Sequence, residues 1–343
     1  MNGAVTEFGV LALVVVAAGV FLSRAADRIA DTTGLGRVLV GSLLLAAATS
    51  LPELTVDVAA VRAGRPDLAI GDLFGSSLMN LLILAAVDLG IRRGRPMFSR
   101  EAAAHALPAT LSIVLTATAG LAILTAGRLP GFAVAGIGGW SLAILLAYML
   151  GARMVFIDQR ISARAARQAD GDTHGEATGP EGGRLGLRAL VPSLLTFAAA
   201  AAVLWWAGPR LAETAGVLAD ETGLGGTFVG TTLVALTTSL PELVAAVTAV
   251  RSGAVDLAIG NTFGSNAFNM VLFVPLDAVH PGSLFAAASP AHAVTVLAVI
   301  AATSVAILGQ LYHADRRVPI VEPDALLIVA IVCGGLALMY RLS

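Results

Sequence analysis

The chain consists mainly of long apolar stretches separated by short polar segments. Runs of roughly 20 apolar residues, the length that crosses a bilayer as a helix, occur ten times between Arg, Gly, Pro or Asp residues. We expect five spans near 8–24, 36–62, 67–90, 101–126 and 130–156, and five more near 189–209, 225–250, 256–279, 287–311 and 323–341. The pattern predicts an all-α membrane protein with ten transmembrane helices, called spans 1 to 10 below.

Composition supports this class and excludes others. Of 343 residues, 57% are hydrophobic and 13% are charged, which excludes a soluble globular enzyme and a disordered chain. The net charge of −2 gives no sign of a nucleic-acid partner. Cys333 is the only cysteine, so an intramolecular disulfide and a cysteine-based metal site are both excluded. The first apolar stretch lacks a basic leader and an obvious cleavage site, so we interpret it as a helix.

Basic residues are distributed unevenly between the predicted loops. All 21 are Arg; sixteen follow spans 1, 3, 5, 7 and 9, and five lie on the opposite side. The positive-inside rule therefore places the odd-numbered loops in the cytoplasm and both termini outside. We expect an integral protein of a bacterial or archaeal plasma membrane, with the lipid bilayer as its surroundings.

The two groups of spans contain an internal repeat. Residues 34–85 align without gaps on residues 223–274, at an offset of 189, and 27 of the 52 positions are identical. Each repeat unit has five spans, so the second unit enters the membrane from the opposite face. We predict inverted five-helix repeats at 1–157 and 189–343 joined by a cytoplasmic linker at 158–188. Such repeats with Gly- and Pro-interrupted helices are typical of secondary transporters, whose substrate binds near the midplane.

Two acidic residues lie deep within the repeated spans. Glu53 and Glu242 occupy the same position of spans 2 and 7, about fifteen residues from the start of each. A charged residue at this depth costs about 2.5 kcal/mol or more, so it requires a cation, a proton or a buried partner. A protonated glutamate hydrogen-bonded inside the bundle is the alternative without a transport role.

Prolines and hydroxyl side chains accompany these glutamates. Pro52 and Pro241 cannot donate a backbone hydrogen bond, so they kink each helix and free the carbonyls of Ala48 and Thr237. The same turns also carry hydroxyl side chains, those of Thr49, Ser50, Thr238 and Ser239. Together with the carbonyls they line each helix with oxygen ligands, which suit hard cations.

A second polar segment recurs in spans 3 and 8. Ser76 and Asn80 in the first copy, and Ser265 and Asn269 in the second, are four residues apart. This spacing places a hydroxyl and an amide on one helix face, as a second wall of oxygen ligands requires. Polar contacts that only hold helices together are the alternative.

These segments resemble a known family. The motif T-S-L-P-E at 49–53 and 238–242, with G-S-x-x-x-N at 75–80 and 264–269, is similar to the two alpha-repeats of the sodium/calcium exchanger family, within the cation/calcium antiporter superfamily. The resemblance covers both 52-residue copies, and the ten-helix inverted arrangement is similar to that family's fold. The long cytoplasmic regulatory domain of animal members is absent.

The resemblance implies a cation site made of four ligand clusters. Spans 2 and 7 would supply the two glutamates and the four hydroxyls beside them, and spans 3 and 8 the two Ser–Asn pairs. Backbone carbonyls at positions matching Ala46 and Ala235 would contribute to flanking sodium sites. Spans 1 and 6 would be the pair of helices that slide.

The sequence also departs from the family pattern. Many sodium/calcium exchangers have Asp where this chain has Asn269, so the site loses one negative charge. Repeat 1 has Asp72 and Ser77 where Asn is more usual, and Asp57 where repeat 2 has Ala246. Asp57 is one turn from Glu53 and either lines the access path, offers a proton site, or is solvated near the interface.

The function that we predict is antiport of Ca²⁺ for Na⁺ by alternating access, exporting Ca²⁺ from the cytoplasm. The alternative is Ca²⁺/H⁺ exchange, in which the same two glutamates take protons. An intramembrane hydrolase would not need duplicated Ser, Thr and Asn ligands, and inverted repeats disfavour a passive channel. No nucleotide motif is present, and we expect neither enzyme activity nor a cofactor. The expected partners are inorganic cations, with no nucleic acid and no obligatory protein partner.

Overall fold

A computed structural model of the chain describes residues 2–33, 49–90, 105–128, 132–134, 136–169, 187–251, 255–311 and 323–342. The helices of the first half are α1 (Asn2–Thr33), α2 (Leu51–Arg62), α3 (Pro66–Gly90), α4 (Ala106–Thr125) and α5 (Gly139–Ala169). The first helix of the second half is α6 (Leu187–Thr222). The remaining helices are α7 (Gly225–Val229), a π-helical turn (Gly230–Val234), α8 (Ala235–Thr238), α9 (Leu240–Arg251), α10 (Val255–Val271), α11 (Phe273–Val279), α12 (Leu284–Ala287), α13 (His292–Leu311) and α14 (Pro323–Leu342).

The protein is a helical membrane protein. Within the described ranges, eight helical segments are long and apolar enough to cross a bilayer. A ninth candidate is the bent pair Gly225–Thr238 and Leu240–Arg251, whose two parts meet at 44°. Predicted span 2 is represented by α2 alone, because residues 34–48 lie outside the described part of the chain.

Several predicted boundaries are wrong. Span 1 continues from 24 to Thr33, and span 6 continues from 209 to Thr222. The extension of α6 is amphipathic: Leu211 and Leu218 are buried, whereas the acidic residues of the same segment are exposed. Pro209 does not end the helix, because a proline removes only one backbone donor.

Span 5 also begins later than predicted, and it ends at Ala169 rather than near 156. Its helix α5 starts at Gly139 rather than near 130, and the preceding residues form the only strands in the described chain, β1 (Ala133–Val134) and β2 (Ile137–Gly138). The two strands pair in antiparallel register, with Ala133 opposite Gly138. Gly136 adopts a φ of 84°, which permits this tight turn. Apolarity alone does not distinguish such a hairpin from the start of a helix.

The helix α3 lies in the interior of the bundle and carries half of the candidate chemistry. It is buried on nearly all sides from Leu68 to Leu81. Gly71 and Gly75 allow the backbone of the bent span to approach closely, since a Cβ at Gly75 would lie 2.4 Å from the Thr231 carbonyl oxygen. The contact places the π-helical turn of the bent span directly against α3. Single π-helical turns are frequent at functional sites.

The long helices α1 and α6 pack along each other, and α6 also packs on α2. Each brings a glycine against a motif helix. A Cβ at Gly19 would lie 2.4 Å from Pro241 Cγ and 3.5 Å from Pro52 Cγ, and one at Gly208 would lie 2.7 Å from Thr55 Oγ1. Gly19 and Gly208 differ by 189, the repeat offset.

Candidate cation site

Both motif helices begin with the same local geometry. Ser50 (φ −86°, ψ 9°) precedes α2, and Ser239 (φ −85°, ψ 0°) separates α8 from α9. Each serine carbonyl accepts from the amide four residues later, at 3.1 Å in both copies. The proline that follows each serine by two residues lacks an N–H, so the helix restarts there and Glu53 and Glu242 fall in its first turn. A helix N-terminus favours a nearby negative charge.

Both glutamates lie in the interior of the molecule. Their relative exposures are 1% for Glu53 and 3% for Glu242, and the charge of one acts on the other. Glu53 Oε2 and both carboxylate oxygens of Glu242 have no hydrogen-bond partner. Buried carboxylates without partners are unfavourable, and no Arg is among the buried side chains of the described residues. A bound cation or a proton would compensate for the burial of these two carboxyl groups.

Hydroxyl groups from different repeats meet beside the glutamates. Ser76 Oγ lies 3.2 Å from Thr238 Oγ1, and the equivalent pair, Thr49 Oγ1 and Ser265 Oγ, is 3.5 Å apart. All four side chains are buried. The structure thus brings together predicted ligands from different repeats. Thr49 of span 2 lies beside Ser265 of span 8, and Ser76 of span 3 lies beside Thr238 of span 7.

The amide side chains form a less symmetric set. Ser50 Oγ donates to Asn269 Oδ1 at 3.1 Å. The equivalent bond between Ser239 and Asn80 is not made, and Ser239 Oγ and Asn80 Oδ1 are both buried without a partner. Instead, Asn80 Nδ2 donates to Asn266 Oδ1 at 3.0 Å. Two more oxygens therefore remain available on one side of the site.

Three residues outside the predicted ligand set belong to this cluster. Asn266 joins it through Asn80, and its own amide donates to the Ser77 carbonyl at 3.2 Å. Asp72 Oδ1 accepts from Thr238 at 3.0 Å and from Ser76 at 3.3 Å. Asp57 is completely buried, so the interpretation of a solvated Asp57 near the interface is wrong. The four-residue spacing from Asp72 to Ser76 was a usable signal in the sequence.

Two predicted backbone ligands remain untested. Ala46 and Ala48 lie outside the described residues. The Ala235 carbonyl accepts from the Ser239 amide at 3.0 Å and also lies 3.4 Å from Thr238 Oγ1, so it is engaged within its own helix. Because Pro241 has no N–H, the Thr237 carbonyl lacks the usual helical donor.

The donor set is suited to hard cations. It consists of carboxylate, hydroxyl and amide oxygens, with neither thiolate nor imidazole among the groups described above. No three His, Cys, Asp or Glu side chains of the described residues converge as a metal centre. A cation at this position would therefore have a mixed coordination of carboxylate and neutral oxygen ligands, which permits it to leave again.

Comparison with known proteins gives consistent similarities in sequence and fold. The chain is 29% identical over 265 residues to the inner membrane protein YrbG of Escherichia coli (strain K12), covering 76% of this chain and 75% of YrbG. The structure of native YfkE superposes with a TM-score of 0.67 at 18% identity, covering 97% of this chain and 92% of YfkE. A structure of the sodium-calcium exchanger NCX_Mj gives a TM-score of 0.59 at 19% identity, covering 97% and 98%.

A family match covers most of the chain. Sodium/calcium exchanger proteins match residues 4–155 and 192–339, which include both copies of the motif and the long helices around them. The matched segments account for most of the chain and break at the polar segment between its halves. The chain belongs to the sodium/calcium exchanger protein family, a family of membrane antiporters.

Proposed function

We propose that the chain exchanges Ca²⁺ for Na⁺ at the Glu53–Glu242 site by alternating access. The observation that carries the proposal is the pair of buried carboxylates at equivalent positions of two repeats, with open oxygens and no buried Arg among the described residues. Two carboxylates neutralise one Ca²⁺ or two Na⁺, so the two cations would compete for one set of ligands. Their mutual repulsion when the site is empty would disfavour an empty carrier changing sides.

The ligands that we assign to this site come from four helical segments. Hydroxyls and amides would complete the coordination that the glutamates begin, and the paired contacts across the repeats would close around the ion. The assigned residues are Glu53, Glu242, Thr49, Ser50, Thr238, Ser239, Ser76, Asn80, Ser265, Asn269 and, through their carbonyls, Ala46 and Ala235.

We further propose that the fold is a ten-helix arrangement of two inverted five-helix repeats, 1–157 and 189–343, joined by a cytoplasmic segment at 158–188. The 189-residue offset relates the two glutamates and the two packing glycines of α1 and α6, which supports this division. Both termini would face outward and Ca²⁺ would leave the cytoplasm. No cofactor is required, since the Na⁺ gradient supplies the free energy.

The test is uptake of radioactive Ca²⁺ into proteoliposomes that contain the purified chain, with the membrane voltage clamped. An outward Na⁺ gradient is expected to drive uptake well above that of protein-free vesicles, and an equal outward H⁺ gradient is not. Uptake driven only by H⁺ would replace Na⁺ with protons as the coupling ion. The four buried carboxyl groups at the site favour H⁺ coupling as the second candidate. Absence of Ca²⁺ uptake under both gradients would contradict the proposal.

A further inference from the structure

Repeat 1 contains a pair of buried carboxylates that repeat 2 lacks. Asp57 in α2 and Asp72 in α3 are both 0% exposed, and they lie close enough to act on each other electrostatically. The positions at the repeat offset hold Ala246 and Asn261. This pair is therefore an addition to the symmetric site rather than part of it.

The oxygens of the pair are largely unoccupied by protein donors. Apart from the contact between the two carboxyl groups themselves, both oxygens of Asp57 and Oδ2 of Asp72 are buried without a hydrogen-bond partner. Asp277 shows how this protein satisfies a buried carboxylate that has a structural role. It accepts from the Gly138 amide at 2.7 Å, from Ser141 Oγ at 2.8 Å and from the Leu284 amide at 3.1 Å. No backbone amide or hydroxyl group of the described residues donates a hydrogen bond to Asp57.

The pair is joined to the exchange site by shared hydroxyls. Asp72 Oδ1 accepts from Ser76 and Thr238, which also contact each other. Asp57 lies one turn after Glu53 on the same helix face. The charged groups acting on Asp57 are those of Asp72 and Glu53, both acidic, so the surroundings supply no positive charge.

From this geometry, and given the exchange site proposed above, we infer that Asp57 and Asp72 form a second hard-cation site in repeat 1. The carboxylates would bind the ion, and Ser76 or Thr238 would supply neutral oxygens shared with the exchange site. Either Na⁺ or Ca²⁺ would suit these oxygen ligands, because both are hard cations. Together the two sites would present four carboxylates, so one more cation binds per chain than the two glutamates alone can hold.

The test replaces each residue with its counterpart from repeat 2. Asp57→Ala and Asp72→Asn, singly and together, remove the extra charges with side chains that the fold already accommodates at the equivalent positions. Equilibrium dialysis of the purified full-length protein in detergent, with radioactive Ca²⁺ and separately with radioactive Na⁺, counts bound ions per chain at fixed pH and ionic strength. We expect the double variant to bind about one ion fewer. The isotope that is lost identifies the ion.

A second readout protects the test against a folding defect. In cation-free buffer the double variant is expected to melt at a higher temperature than the wild type, because two uncompensated buried charges are gone. Added cation should then raise its melting temperature less. Unchanged numbers of bound Na⁺ and Ca²⁺ would overturn the inference, as would a change in the affinity of the exchange site alone.

Failure of the proposed function gives a different result. If the wild type binds no Ca²⁺ that Na⁺ displaces, and Glu53→Gln changes nothing, the exchange site itself is wrong. If the wild type and Glu53→Gln behave as expected while the Asp57→Ala/Asp72→Asn variant matches the wild type, only the second site is wrong.

Discussion

Two adjacent threonines in α8 make different hydrogen bonds. Thr237 Oγ1 donates to the Leu233 carbonyl of its own helix at 2.8 Å. Thr238 Oγ1 lies 3.0 Å from Asp72 Oδ1 and 3.2 Å from Ser76 Oγ, closer to the carboxylate than to any carbonyl of its own helix. The two side chains therefore have different surroundings although their chemistry is identical, and we propose only Thr238 as a ligand.

Replacing Thr238 with Val is expected to weaken Ca²⁺ binding about 10-fold or more, since a hydrogen bond to a charged group contributes about 1.5–3 kcal/mol. The matched control is Thr237→Val, which keeps the site intact and should change the Kd less than about 2-fold. Isothermal titration of both purified variants measures the difference. Equal losses in the two variants would show that Thr238 has no special relation to the ion.

The sequence predicts most of the polar side chains that the structure brings together, because the repeat marks each of them twice. It did not identify Asp72 and Asn266, whose contacts with Thr238 and Asn80 depend on how helices from opposite halves pack. The burial of Asp57 was also undecidable from sequence, since one helical turn separates the midplane from a more solvated depth.

At the scale of helices, close packing of glycine against proline links α1 to both motif segments. Gly19 faces Pro241 and Pro52, which lie beside Glu242 and Glu53. A displacement of α1 would therefore be felt at both breaks. This contact is a structural reason to expect α1 and its partner α6 to move together relative to the site.

The corresponding variant is Gly19→Ala. Its Cβ would lie 2.4 Å from Pro241 Cγ, so α1 must shift; overpacking of this kind costs about 1–3 kcal/mol. We expect a lower melting temperature and slower Ca²⁺ uptake. The control is Gly9→Ala on the same helix, where a Cβ meets nothing within 4 Å. If the two variants are alike in both measurements, the contact with the prolines has no role in transport.

Sequence reasoning predicted the existence of the described helices more accurately than their ends. Hydropathy detects the part of α6 that is apolar on all sides, but not its amphipathic continuation to Thr222, which is stabilised by packing on one face. The π-helical turn at Gly230–Val234 has no distinguishing hydropathy. Both features depend on neighbouring helices.

For the whole molecule, orientation in the membrane remains a prediction from the Arg distribution. It places the loop after span 7 in the cytoplasm and the loop after span 8 outside. The structure offers a labelling position in each: Arg251 at the end of α9 and Gly282 after α11 are both exposed. The single native cysteine, Cys333, can be removed first.

In a Cys333→Ala background, Gly282→Cys is expected to react with a membrane-impermeant maleimide in intact cells. Arg251→Cys should react only after permeabilisation. Each variant serves as the control for the other, because the same reagent and background are used. The reverse pattern would place the termini in the cytoplasm and would reverse the assignment of the two faces.

Na⁺-gradient-driven Ca²⁺ uptake by Glu53→Gln and Glu242→Gln, each reconstituted beside the wild type, tests whether both glutamates form one exchange site. Glutamine keeps the size of the side chain and removes the charge. We expect the wild type to accumulate Ca²⁺ and each variant alone to fall to the level of protein-free vesicles. Uptake at the wild-type rate in either variant would contradict a shared site built on both glutamates.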